Sequence, residues 1–136
     1  MSKGNTTETD FLSYTFKATA FSWDGNSNLY VGLHTADPGE GGSQTTSECA
    51  FGSYARVAVA RSGSGWTVSG NTAQNASTVS FPACTSGSET VTYVSIGTAS
   101  SGTGQILYSG ALSASRAVSS GITLQFAAGA LTITED

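Results

Sequence analysis

The residues best suited to chemistry are a histidine and the acidic side chains that follow it. His34 is the only histidine, and Asp37, Glu40 and Glu48 come soon after it along the chain. An imidazole beside carboxylates can serve as a general base or as a pH-sensing contact. The same residue types also organise loops by hydrogen bonding. We favour this structural role for His34 and Asp37, because a zinc site or a catalytic triad needs partners that one histidine does not supply.

Two further uses of the carboxylates stay open at this level. Asp37 could pair with Glu40, Glu48 or Glu89 in a glycosidase, which needs two carboxyl groups across a sugar bond. Most of these acids lie on a Gly-rich segment that no rigid element obviously supports. Asp37, Glu40 and Glu48 could also bind Ca²⁺ through oxygen ligands, although their spacing is not that of an EF-hand loop.

The cysteines and the glycine pairs give no stronger signal. Cys49 and Cys84 each lie beside apolar residues, which favours reduced, buried side chains over a disulfide or a metal site. The pairs Gly63-Ser-Gly65 and Gly102-Thr-Gly104 complete neither a dinucleotide fingerprint nor a P-loop. We therefore predict a protein that is not an enzyme, with no catalytic residue, no cofactor and no metal.

Composition limits the class of protein that holds these residues. The 136 residues suit one domain, and 17 glycines with only 10% charged residues favour strands and turns over helices. A net charge of -4 with five scattered basic residues predicts no binding to nucleic acid. We see neither a membrane span nor a signal peptide, so we expect no membrane partner and synthesis in a cytosol.

The N-terminal segment is predicted to contain an arm and a helix. Residues 1–8 are polar and are expected to form a flexible arm, with one domain over residues 9–136. Thr9 or Asp10 could cap a helix over roughly 10–20. Its apolar positions, Leu12, Phe16 and Ala20, recur at the i, i+4, i+8 spacing of a helix face.

About eight strands are predicted after the helix. Alternating apolar residues indicate strands over 29–35, 54–61, 66–68, 76–81, 89–97, 105–110, 122–126 and 130–134, with a shorter or mixed segment over 111–118. The strand over 89–97 carries bulk on both faces, which predicts a central position. Short turns between the strands favour a mostly β fold, an antiparallel jelly roll or β-sandwich. The long connection over 36–51 is predicted to be a binding loop.

Several motifs resemble a family of small proteins from tailed bacteriophages. They are Leu29-Tyr-Val-Gly-Leu-His-Thr-Ala-Asp-Pro-Gly-Glu-Gly-Gly, Tyr54-Ala-Arg-Val-Ala-Val, Val68-Ser-Gly-Asn-Thr-Ala and Gly129-Ala-Leu-Thr-Ile-Thr-Glu-Asp. Members are often labelled tail fibre or virion structural proteins, and the chain is similar in particular to the capsid-cementing, or head-decoration, members. The resemblance implies a jelly roll on the outside of the phage head.

The resemblance also implies which partners the protein would bind. A cementing protein would bind the major capsid protein and itself, as a dimer or trimer, through many repeated contacts. The loop over 36–51 and the N-terminal arm are the expected contact elements. The candidate contact residues are Asp37, Glu40, Gln44, Glu48, Arg56, Arg61 and Arg116. The alternative is a tail-fibre or tail-tip module that recognises a receptor on the host surface.

Overall fold

Ten strands and one helix make up the structure, a computed structural model that describes residues 1–136. The elements in chain order are β1 (Ser2–Lys3), α1 (Asn5–Lys17), β2 (Asn28–His34), β3 (Val57–Ala60), β4 (Trp66–Ser69), β5 (Thr72–Asn75), β6 (Val79–Ser80), β7 (Ser88–Gly97), β8 (Ile106–Ser119), β9 (Gln125–Phe126) and β10 (Thr132–Thr134). The strand predicted over 105–110 and the mixed segment predicted over 111–118 are replaced by one 14-residue strand, β8, over Ile106–Ser119.

Five strands form the larger sheet, in the order β1-β8-β7-β2-β3. Every pair in it is antiparallel. β7 lies between β8 and β2, which confirms the central position predicted from its apolar residues on both faces. The mostly β, antiparallel fold class is likewise confirmed.

Smaller sheets cover the core on its other side. β10, β5 and β4 form a three-stranded sheet, and β6 pairs with β9. Val31, Leu33 and Val94 of the large sheet are buried in one cluster with Phe81 and Leu131. The architecture is thus a β-sandwich, and the more specific prediction of a jelly roll is not confirmed.

A bulge in β7 alters the alternation expected along this strand. Strict alternation places Val91 and Val94 on opposite faces, yet both are buried in the same apolar cluster. The pairing of β7 with β8 shifts register between Val91 and Tyr93. An extra residue at such a bulge changes which face the following side chains occupy, and the sequence pattern did not reveal it.

The N-terminal segment differs from its prediction. Residues 1–8 were expected to form a flexible arm, but Ser2–Lys3 pairs with β8 and the helix begins at Asn5 rather than near residue 10. The Asn5 N–H donates to the Glu40 carbonyl at 2.9 Å and the Thr7 hydroxyl to the Ile106 carbonyl at 3.0 Å. Contacts with residues distant in sequence therefore set the start of the helix at Asn5, whereas the local capping signals indicated a start near Asp10.

The C-terminal end and the outer face of α1 also depart from expectation. The helix stops at Lys17 because Ala18 adopts a left-handed conformation with φ of 52°. Thr7 is its only buried residue, while Leu12 and Phe16 of the predicted apolar stripe are exposed. The spacing identified a helix but did not identify the face that packs on the sheet.

Candidate binding site

His34, at the end of β2, is fully buried and holds the loop over 36–51 against the large sheet. Its Nδ1 lies 2.8 Å from the Thr46 carbonyl oxygen, and its Nε2 lies 2.8 Å from the Ser95 hydroxyl. Because a carbonyl can only accept, Nδ1 donates, and in the neutral ring Nε2 accepts from Ser95. Burial lowers the pKa of His34, although the bond to Thr46 and the charge of Glu48 oppose this. His34 is therefore a structural anchor with both ring nitrogens bonded.

Glu48 and Arg56 form an ion pair at the far end of the same loop. The Arg56 Nε donates to Glu48 Oε2 at 2.6 Å, and Nη2 donates to Oε1 at 2.9 Å. The Arg56 side chain is 2% exposed and that of Glu48 is 16% exposed. Both were candidate contact residues, but in this structure they bind each other below the surface.

Arg56 and Tyr54 extend this pair into a polar network. Arg56 also donates to the Ala99 carbonyl at 3.0 Å and to the Gly102 carbonyl at 2.7 Å. The Tyr54 hydroxyl donates to Glu48 at 2.9 Å and accepts from the Leu33 N–H at 3.1 Å. Burial raises the pKa of Tyr54, which keeps its hydroxyl protonated as the donor. The network ties the loop over 36–51 to the loop over 98–104.

Gln44 joins the same two loops from inside the fold. The side chain is fully buried, and its amide exchanges two hydrogen bonds with the backbone of Ala99, accepting at 2.9 Å and donating at 3.2 Å. A Cβ at Gly97 would lie 2.2 Å from Gln44 Cδ, and one at Gly104 would lie 1.9 Å from its Oε1. Gln44, predicted as a contact residue, instead occupies a slot that the two glycines leave open.

Glu89 and the cysteines also have internal roles. The Glu89 carboxylate accepts from the Ala50 N–H at 2.9 Å and from the Phe51 N–H at 3.2 Å. Cys49 and Cys84 are both free and buried. Burial, together with the charge of Glu89, raises the pKa of Cys49 to about 12. A thiol held protonated in this way is a weak nucleophile.

Three other candidate residues line one surface cleft. Asp37 and Glu40 from the start of the loop and Arg116 from β8 border a space of about 1030 Å³. All three are exposed. Asp37 accepts from the Gly39 N–H at 2.8 Å, whereas the Glu40 carboxylate and the Arg116 guanidinium make no hydrogen bond or ion pair within the chain. The cleft therefore presents charges of both signs that are available to a ligand or partner.

Residues that were assigned only to strands or to the core form the rest of the cleft. Tyr93, Leu112, Gln125 and Phe126 are among them, so the walls combine aromatic, aliphatic and amide groups. Such a mixture suits binding, because apolar walls hold a ligand while a few polar groups orient it. Sequence reasoning missed these residues because alternation within a strand gives no information about a cleft between sheets.

Arg61, the last candidate contact residue, lies away from the cleft. It donates to the Asp24 carbonyl at 2.6 Å and lies 5.2 Å from the centre of the Trp23 ring. Its side chain thus fastens the turn before β2 to the end of β3. The seven candidates therefore divide into a cleft group, a buried group and Arg61.

The acidic residues proposed as metal ligands are not brought together. Glu48 is bound to Arg56, and the structure contains no group of three or more His, Cys, Asp or Glu side chains that could hold a metal ion. No helix is long and apolar enough to cross a membrane.

The fold is a small antiparallel β-sandwich, and the cleft lies on one side of it. Residues 2–134 match the model of the family described as "Podophage GP4 fiber I protein gp80". The match spans nearly the whole chain, so the chain belongs to this family and is a structural protein of a phage virion. A search of curated proteins gave no match. The expected virion class is confirmed, while head decoration is not.

Proposed function

We propose that this protein is a subunit of a bacteriophage fibre and that it acts by binding rather than by catalysis. The family match over residues 2–134 carries the proposal, because the description of that family names a fibre protein. Capsid cementing, our first expectation, has less support than the fibre role, which was the alternative. The internal hydrogen bonds of His34, Glu48 and Glu89 support a binding role, since they occupy the groups that acid-base chemistry would use.

The surface we propose for recognition is the cleft bordered by Asp37, Glu40 and Arg116. It combines unpaired charges with aromatic and apolar walls, a lining that suits a polar receptor on the host surface. Rigid anchoring supports this use, because the adjoining loop is fixed through Gln44 and Glu48. A fixed loop loses little entropy when a partner binds.

The place in the virion is tested by counting and locating the protein in purified particles. We expect antibody labelling on fibres in electron micrographs and a copy number far below that of the major capsid protein. A copy number comparable to that of the capsid protein, with label over the whole head, would contradict the fibre role and support cementing.

The cleft is tested with two variants that make the same change of charge. Glu40→Lys alters an exposed acid that lines the cleft, and Glu8→Lys alters an exposed acid on α1 that does not. We expect particles with Glu40→Lys to incorporate the protein normally but to adsorb more slowly to host cells than the Glu8→Lys control. Equal adsorption of the two variants would remove the cleft from receptor recognition.

A further inference from the structure

Strand β8 has an open edge over most of its length. Its outer neighbour in the large sheet, β1, pairs only with Tyr108 and Ser109, so no strand covers the outer side of residues 110–119. An uncovered strand edge presents backbone N–H and C=O groups at the spacing that another strand binds. Such an edge is a place where an extended polypeptide can add to the sheet.

A large bulge frees still more of the β8 backbone. The pairing of β8 with β7 skips from Ala111 to Arg116, so residues 112–115 have no partner in that strand. Residues 113–115 are exposed, and Leu112 lines the cleft. The backbone of this stretch is therefore without strand pairing on both sides, and its polar groups are left to solvent or to a partner.

The cleft proposed for recognition lies along this edge. Gly110, Leu112 and Arg116 of β8 form part of one wall, and Gln125 and Phe126 of β9 form part of the other. β9 pairs with β6 on one side and has no strand on its other side. Two strands with an uncovered edge therefore border one space of about 1030 Å³. Small-molecule pockets measure about 300–1,000 Å³, so this space is large enough for a segment of a polymer.

The unpaired charges of the cleft are separated along β8. Glu40 lies near the start of this strand, because its carbonyl accepts from the Asn5 N–H while the preceding residue, Gly4, donates to Leu107. Arg116 lies beyond the bulge. A strand added antiparallel to β8, as every pair in this sheet is arranged, would begin near Arg116 and end near Glu40. Opposite charges then favour an acidic residue towards its N-terminus and a basic residue towards its C-terminus.

We propose that the cleft binds an extended polypeptide segment of a host-surface protein, which adds to the open edge of β8 as an antiparallel strand. The inference rests on the proposed recognition role of the cleft and names the chemistry of the receptor. Backbone hydrogen bonds give affinity in this mode, and the apolar walls take alternate side chains of the added strand. A glycan lacks the regularly spaced N–H and C=O groups that pair with a strand edge, so the open edge favours a protein.

Peptide selection on the full chain tests this mode of binding. A random library of peptides of about 12 residues, long enough to follow the open edge, is panned against the wild-type protein, and the tightest binder becomes the probe. We expect it to carry the acidic and basic residues at the ends stated. Glu40→Lys and Arg116→Glu should each weaken its binding by roughly tenfold. Glu8→Lys, an exposed change on α1 outside the cleft, should leave the binding unchanged.

N-methylation of the probe, one residue at a time, distinguishes strand addition from other contacts. The N–H groups of an antiparallel strand point alternately towards and away from a given neighbour. We expect a loss of roughly tenfold in affinity at every second residue, where a hydrogen bond to β8 is removed, and little loss between them. Losses without this alternation, or a library that yields no peptide sensitive to Glu40→Lys, would overturn the inference. The bulge would then serve to keep other strands away from the edge.

Adsorption to protease-treated host cells separates this inference from the proposed function. We expect particles with Glu40→Lys to adsorb more slowly than Glu8→Lys particles to untreated cells, and equally to cells stripped of surface protein. A difference that persists on treated cells would overturn the protein receptor and leave recognition by the cleft intact. Equal adsorption to untreated cells would overturn the recognition role of the cleft itself.

Discussion

At the scale of single residues, the charged side chains have unequal roles that their chemistry alone did not reveal. Arg56 and Arg116 are alike in type and lie in strands or beside them, yet Arg56 is enclosed with Glu48 while Arg116 faces the open cleft. Removing one partner of an enclosed ion pair leaves the other charge uncompensated. Removing a solvated arginine leaves no enclosed charge without a partner.

We therefore expect Arg56→Ala to lower the free energy of unfolding by roughly 3 kcal/mol. Arg116→Ala, the matched control, should change it by less than about 0.5 kcal/mol. Urea unfolding followed by fluorescence measures both. Similar losses in the two variants would show that the pair of Arg56 with Glu48 contributes no more than a surface charge.

At the scale of elements, the fixed shape of the loops depends on side chains that cross between them. The loop over 36–51 was predicted as a binding loop. Much of it is held in place by hydrogen bonds of His34, Glu48 and Gln44. Only its first part, with Asp37 and Glu40, reaches the cleft. The two ends of one loop thus serve different purposes.

Gly104→Ala tests the slot that holds Gln44. The added methyl would overlap the Gln44 amide, so we expect a loss of about 1–3 kcal/mol in unfolding free energy. The loss should shrink in a Gln44→Ala background, because the nearest overlapping atom, Gln44 Oε1, is then absent and only the Ala99 Cβ, 2.7 Å away, remains. Gly63→Ala is the control, since nothing lies within 4 Å of a Cβ there. Equal losses in both backgrounds would contradict the packing described.

At the scale of the whole molecule, stability should depend on pH through His34. Burial lowers the folded-state pKa of His34 below its ordinary value of 6.5. The unfolded chain therefore binds the proton more readily, and stability falls as pH drops below about 6.5. Above that pH both states are neutral at this residue, and the contribution is complete.

Unfolding in urea between pH 5 and pH 7.5 checks this dependence. The wild-type protein should lose stability towards pH 5, with a slope of at most about 1.4 kcal/mol per pH unit from one proton. His34→Gln should show a shallower slope over the same range, whatever its absolute stability. An unchanged slope in the variant would show that other groups produce the dependence.

Much of the architecture follows from local pattern, and part of it does not. The strands over Asn28–His34 and Ser88–Gly97 were predicted nearly to the residue, because alternation and turn residues are read within a few positions. The start of α1 and the bulge after Val91 were missed. The start of α1 is set by hydrogen bonds to the carbonyls of Leu107 and Ile106, about 100 residues away along the chain. The bulge is set by the pairing of β7 with the neighbouring strand β8.

The candidate site shows the same division. Asp37, Glu40 and Arg116 were among the candidate contact residues, and the structure places them at one cleft. Gln44 and Arg56 were candidates as well, yet they are enclosed. The type of a residue shows that its side chain is polar. The surroundings of that side chain in the fold decide whether it binds solvent or another protein group.

The sequence by itself determined a mostly β, antiparallel fold and a set of residues able to form polar contacts, because both properties are local. Only the tertiary structure decided which of those residues are paired inside, which line the cleft, and which face of α1 is exposed. These outcomes depend on contacts between segments far apart in the chain, such as Thr7 with Ile106 and Gln44 with Ala99. No periodicity within a segment records such contacts.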